Sequence, residues 1–325
     1  MEISETEVVE KNPQAVKDQE QPTIITPEAT KTQPLRVSEA DRATLTPNPL
    51  PCNREVCSYS GHFLLARPIA PTGRDWVDPT YRYGSSQEGN RETHHGVEFL
   101  NSQGTPVLAA ADGVVVVAGD DEAAIYAAWP SFYGNLVIIE HDLRHLQEGS
   151  AQISVERLYT LYGHLFELRV QTGQYVKTGD VIGLVGFTGT ATGSHLHFEV
   201  RVGANDYAST RNPELWLQPH ANEDGQLYGA LAGRVVDEYG DPIYLPNVVV
   251  ERLAADGDTA VETNYLESYV DSGVNGDDVW QENFALGDLP AGKYRVTFVA
   301  RGLREYVLPV YPGRVTLVTF DAMER

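Results

Sequence analysis

Short β-branched runs set the texture of the chain from about Cys52 to about Pro219. TPVLAAADGVVVVAGDD, YGNLVIIEHD, RLYTLYGHL, QYVKTGDVIGLVGFTG and HLHFEVRVG are rich in Val and Ile and are bounded by Gly, Asp and Asn. Runs of that length and make-up predict β-strands joined by hairpins. Helical periodicity is weak, so one mostly β unit follows over residues 51–220. After the polar stretch HANEDGQLYG the pattern resumes in LAGRVVDEYGDPIYLPNVVVERL, WQENFALGDLPAGKYRVTFVARGL and REYVLPVYPGRVTLVTFDA. Strands punctuated there by Gly, Pro and Asp predict a small β-sandwich over residues 226–325. Residues 1–50 are rich in Glu, Thr, Pro and Gln and hold no sustained period. They are expected to be a disordered tail or linker, because they cannot bury enough apolar surface to offset chain entropy. The fold class is all-β.

The strand period places chemistry. In HLHFEV, side chains alternate faces, so His195 and His197 point one way while Leu196 and Phe198 point into a core. Two adjacent imidazoles repel if both are charged. One ligating a metal, with the other free to exchange a proton, resolves that conflict. In HHGVEF, His94 and Glu98 sit where Gly96 favours a loop entering a strand. An imidazole and a carboxylate can converge there on one ion. A further imidazole would complete a two-His, one-carboxylate set and leave open the fourth position that catalytic zinc needs. LYTLYGHL contributes His164. His62, His141 and His145 read as surface or core-satisfied histidines, and the Asp-Gly of AAADG, at Asp112, as a hairpin turn.

Composition narrows the partners. The chain has 325 residues, 42% hydrophobic and 22% charged, with a net charge of −22. That charge argues against nucleic acid and anionic lipid surfaces, which need Lys and Arg to displace counterions. No apolar run is long enough to span a membrane, and the start MEISETEVVE lacks the basic and apolar regions of a signal peptide. Cys52 and Cys57, the only cysteines, can close a small disulfide loop or stand as free thiols.

In order and spacing, HHGVEF, GTPVLAAADGVVVVAG, YGNLVIIEHD, LYTLYGHL and VKTGDVIGLVGFTGTATGSHLHFEV resemble the lysostaphin/LytM-type metallopeptidases, over roughly residues 60–218. The resemblance implies a small, open, antiparallel β scaffold of the duplicated-hybrid-motif kind, with zinc in a groove. It implies a secreted or cell-envelope hydrolase that cleaves peptide bonds of bacterial peptidoglycan. It makes His94 the first Zn²⁺ ligand, Glu98 the second, where the family usually has Asp, and His197 the third. His164 and His195 become the non-ligating catalytic pair, with the division of acid and base roles left open. His95 falls at a variable position and is expected to be exposed. The family also holds catalytically silent wall-binding or activator members. The filled histidine positions argue against that fate here. The V-x-x-G-x-x-I-G run is also similar to biotinyl or lipoyl carrier domains, but Lys177 lacks the apolar flanks of their modified hairpin tip. The C-terminal unit, through AGRVVDEYGDPIYLPNVVVE and LPAGKYRVTF, resembles carboxypeptidase regulatory-like (transthyretin-like) β-sandwich modules. With no His and no Cys, it is expected to be a non-catalytic spacer, or a module that binds wall or partner.

Overall fold

A computed structural model describes residues 56–60, 63–143, 157–270 and 273–322. The tail at residues 1–50, Cys52, His62 and His145 lie outside the described residues. Among the described residues the chain first forms β1 (Val56–Ser60), β2 (Val97–Leu100), β3 (Pro106–Leu108), β4 (Gly113–Asp120), β5 (Asn135–Asp142) and β6 (Arg157–Gly163). Next come β7 (Leu165–Leu168), β8 (Tyr175–Val176), β9 (Val181–Val185), β10 (His195–Val202) and β11 (Thr210–Arg211). The C-terminal unit adds β12 (Gly229–Val236), β13 (Val248–Leu253), β14 (Ala260–Leu266), β15 (Phe284–Leu289), β16 (Gly292–Val299), β17 (Leu303–Val310) and β18 (Arg314–Asp321). The fold is all-β, as the runs of Val and Ile predict.

The first unit is built on an open sheet in the order β11-β10-β6-β5-β4-β8, with β2 also paired to β10. A three-stranded sheet, β3-β9-β7, packs on it. Leu196 and Phe198 of β10, Val97 and Phe99 of β2, and Ile182 and Val185 of β9 meet in one apolar cluster. The C-terminal unit has two four-stranded sheets, β1-β18-β12-β15 and β14-β13-β16-β17. Leu231, Leu286 and Phe320 of the one pack with Val250, Val296 and Phe298 of the other. The two units share apolar packing. Ala232, Tyr269, Trp280, Ala285 and Val315 belong to the same cluster as Leu196 and Phe198. Strand β1 lies early in the chain but pairs with β18, with Val56 opposite Val318. Cys57, on β1, is disulfide-bonded.

Asp112 does not close a hairpin. Strands β3 and β4, on either side of AAADG, belong to different sheets. Its carboxylate accepts from Thr178 N at 2.7 Å and Thr178 Oγ1 at 2.9 Å. The Asp thus ties down a neighbouring turn, a local side-chain cap that competes with hairpin geometry. His141 is core-satisfied, with Nδ1 2.8 Å from Asp112 O and Nε2 2.8 Å from Thr160 Oγ1.

Candidate metal centre

The centre forms where β2 meets β10. In their antiparallel register Glu98 lies opposite His197, so the two side chains leave the same face. His94 reaches this face from the loop before β2. Gly96 lets the loop come close, since a Cβ there would stand 2.5 Å from Phe198 O and 2.8 Å from His197 Nε2. One ligand atom each from His94, Glu98 and His197 lies within 4.8 Å of the others. The metal set read from the sequence is therefore brought together in space.

Hydrogen-bond partners fix which nitrogens face inward. His94 Nδ1 donates to Tyr81 O at 2.8 Å, and the Tyr81 ring stacks on the imidazole at 4.0 Å. His197 Nε2 donates to Glu199 Oε1 at 3.0 Å. Those tautomers leave lone pairs on His94 Nε2 and His197 Nδ1, which are 3.2 Å apart. Facing lone pairs need a shared cation. A proton is disfavoured there, because burial, and then His197, push the His94 pKa well below its ordinary value. Two nitrogens bound to one tetrahedral zinc at about 2.0–2.1 Å would be separated by about 3.3–3.4 Å. The observed spacing fits such an ion. Glu98 Oε1 is 3.9 Å from His94 Nε2, so the longer Glu side chain stays within reach.

His164 and His195 stand beside this cluster, their rings 4.8 Å apart. His195 Nδ1 donates to Gly193 O at 2.9 Å. Its Nε2 is buried without a hydrogen bond, 3.5 Å from Glu98 Oε1. His164 Nδ1 lies 2.8 Å from Thr188 O and 3.1 Å from Tyr133 O. His164 has φ of 61°, a conformation that favours glycine. It is held by those carbonyls and by its own N–H to Tyr133 O at 2.9 Å. Gly134 and Gly189 let the two carbonyl-bearing loops touch, each Cβ position lying within 2.5 Å of the other glycine's nitrogen. Burial, then His197 and His195, push His164 down to about 3, and burial lowers His195 as well. Both rings are therefore neutral bases with Nε2 unprotonated.

Behind the cluster lies a layer the sequence reading did not assign. Glu199, Arg201 and Tyr133 are all fully buried. Tyr133 OH donates to Glu199 Oε1, and Arg201 Nε donates to Glu199 Oε2 at 2.8 Å. Arg201 also donates to Tyr126 O at 2.8 Å and to Asn205 Oδ1 at 3.1 Å. Burial alone would raise the Glu199 pKa, but Arg201, His197 and Tyr133 hold it down to about 2. An ionised carboxylate on the far nitrogen of His197 fixes the tautomer and orients the ring. The signal for this layer was present in the sequence. The period of two that pairs His195 with His197 continues to Glu199 and Arg201.

His95 is not exposed. It retains 6% of its surface, stacks on Tyr207 at 3.6 Å and places Nδ1 3.0 Å from Tyr207 O. The distant Gly273 packs against its ring, contact that a local motif cannot reveal. The cleft over the centre encloses about 240 Å³ and is walled by Tyr81, Arg91, Trp129, Phe132, Thr190 and Tyr207. A larger cavity of about 750 Å³ lies elsewhere, between residues 79–90 and strand β14, and contains none of the histidines.

Residues 92–209 match Peptidase family M23, and the segment is a domain of that family. Lysostaphin of Staphylococcus simulans is 33% identical over 141 residues, 42% of this chain and 24% of that protein. The DD-carboxypeptidase/endopeptidase Mpg of Neisseria meningitidis serogroup B is 38% identical over 109 residues, 34% of this chain and 20% of that one. The peptidoglycan DD-endopeptidase ShyC of Vibrio cholerae is 35% identical over 114 residues, 35% and 21% of the two chains. The match thus spans a quarter or less of the length of these relatives.

Proposed function

We propose that the M23 domain of this chain is a zinc-dependent endopeptidase that hydrolyses peptide bonds of bacterial cell-wall peptidoglycan, acting outside the cell or in its envelope. The observation that carries the reading is the convergence of His94 Nε2, Glu98 and His197 Nδ1 beside two neutral, non-ligating imidazoles. His94, Glu98 and His197 would hold the ion. Zinc bound there would polarise a scissile carbonyl and lower the pKa of a water towards about 7.

The remaining work falls to the chain's own groups. His164 and His195 are tied to carbonyls through Nδ1, so each offers Nε2 as a base. One accepts a proton from the attacking water at Nε2, and the Nε2–H so formed returns it to the departing amine; its neighbour can steady the oxygen that gains charge only in the form that carries a proton at Nε2. Glu199 keeps His197 in the tautomer that presents Nδ1. Trp129, Phe132 and Tyr207 supply apolar walls that limit water. A cleft of about 240 Å³ is smaller than typical ligand pockets, which supports a substrate backbone with small side chains.

Two measurements on one preparation test this reading. Protein purified without chelator is expected to carry about one zinc per chain and to release new amino termini from purified peptidoglycan. Absence of stoichiometric zinc, or zinc-loaded protein that releases no amine, would remove it.

A further inference from the structure

The C-terminal unit reaches the metal centre through two anchors that the domain match does not cover. The first is Glu267, just after β14. Its carboxylate accepts from Ser85 Oγ at 2.6 Å, Ser86 N at 3.2 Å, Ser86 Oγ at 3.1 Å, Glu88 N at 3.3 Å and Tyr244 OH at 2.8 Å. The second is Asn275. Its Nδ2 donates to Ala208 O at 2.7 Å and Thr210 O at 3.1 Å, and its backbone N–H donates to Tyr83 OH at 2.9 Å.

Ser85 is paired directly with the ligand His94. His94 N donates to Ser85 O at 2.9 Å, and Gly84 N donates to His94 O at 2.8 Å. Between them the chain turns through Gln87 at φ 49° and Glu88 at φ 58°, two non-glycine residues in the left-handed region. Such a turn costs free energy and persists only where its surroundings over-determine it. Glu267 does this by collecting donors from Ser85 and Ser86, which lead into the turn, and from the backbone N–H of Glu88 within it. Asn275, for its part, fixes the Tyr207–Thr210 segment on which His95 rests.

We infer that Glu267 is a positioning residue for the metal centre, and that the C-terminal unit is a buttress that holds His94 in its ligating place rather than a detachable spacer. The inference rests on the zinc reading above. Without Glu267 the strained turn relaxes, the Ser85–His94 pairing loosens, and the ion must then order the loop as it binds. That ordering is subtracted from its affinity.

The test uses the full chain. Zinc affinity is measured by competition with a chromophoric chelator, and amide exchange over residues 84–94 is followed in the metal-free protein. E267Q is expected to weaken zinc binding at least tenfold and to speed exchange at the His94 and Gly84 amides. E267D, which keeps the charge, recovers part of both. E251Q, on β13 of the same unit with its partner Arg295, stays at the parental values. A folded E267Q with parental affinity and parental exchange overturns the inference. Should E267Q fail to fold, Tyr244→Phe decides, because it deletes one bond to Glu267 from a half-exposed ring. A loss of severalfold in affinity then supports the inference, and no loss overturns it. A parent chain that exchanges these amides as expected but binds no zinc removes the zinc reading, and this inference with it.

Discussion

Strand β10, HLHFEVRV, alternates polar and apolar residues over its eight positions, and strand β16, GKYRVTFV, does so over the six from Lys293 to Phe298. In β16 the apolar set, Tyr294, Val296 and Phe298, is buried, and the other face meets solvent. Arg295 pairs there with Glu251 at 2.8 Å on a partly open surface. In β10 both faces are buried. Leu196, Phe198 and Val200 enter the core, while His195, His197, Glu199 and Arg201 are covered on the other side. Covering such a row costs desolvation of every polar group in it, and only mutual hydrogen bonding offsets that cost. The same pattern thus gives a half-exposed strand in one unit and a covered polar row at the candidate metal centre in the other.

The largest expected difference is chemical. His164→Ala and His195→Ala should each lower kcat by on the order of 10² or more while zinc stays bound. Thr297→Ala, on the open face of β16, should leave kcat within about twofold. Zinc content and peptide-cleavage rates measured side by side decide this. Loss of zinc from His195→Ala would mean that the ligand of the HLH pair has been misassigned.

Stability should separate the strands next. Arg201→Met strands the ionised Glu199 and should cost about 3–5 kcal/mol in urea unfolding. Arg295→Met, at a solvent-screened pair, should leave the unfolding midpoint close to the parent's. Equal costs would break the comparison, because the two arginines would then be equally solvated.

Two histidines sharpen it through pH. Burial pushes His141 down to about 4. Between its unfolded value near 6.5 and about 4 the unfolded chain binds the extra proton, so stability falls as pH falls through that window, by about 3 kcal/mol in all. His220 has the opposite sign. Burial lowers it, but Asp288, at 3.1 Å, and Asp75, also at 3.1 Å, outweigh that and raise its pKa. Its contribution is full below 6.5 and is lost as pH rises through the raised value. Unfolding curves at several pH values should show His141→Gln flattening the acid side and His220→Gln flattening the side above 6.5. A His141→Gln variant as acid-sensitive as the parent would contradict the assignment.

The smallest expected effect is on ligand orientation. Glu199→Gln should weaken zinc binding by about 10–100-fold, the usual cost of removing a carboxylate behind a ligating histidine. Parental affinity in that variant would show that Glu199 serves packing alone.

The spacing of His94, Glu98, His195 and His197 was legible because strand alternation and a short loop are local rules. The burial of Glu199 and Arg201 was not, although their alternation was visible. KYRVTF shows that a polar row on a strand is open unless something covers it, and here the cover includes Tyr126 and Tyr133, far away in the chain. The burial of His95 is hidden from the local sequence for the same reason, since Gly273 and Tyr207 enclose it from distant segments. Likewise, no local signal marks Glu267, whose partners Ser85 and Ser86 lie in the other unit.

On the proposed reading, His94, Glu98 and His197 hold one zinc ion while His195 and His164 stay free. An anomalous difference map at the zinc absorption edge, from crystals of the zinc-loaded chain, tests it most directly. A single strong peak is expected about 2.0–2.2 Å from His94 Nε2, a Glu98 carboxylate oxygen and His197 Nδ1. A peak bonded to His195 or His164 in place of one of these, or no peak in that cleft, would contradict it.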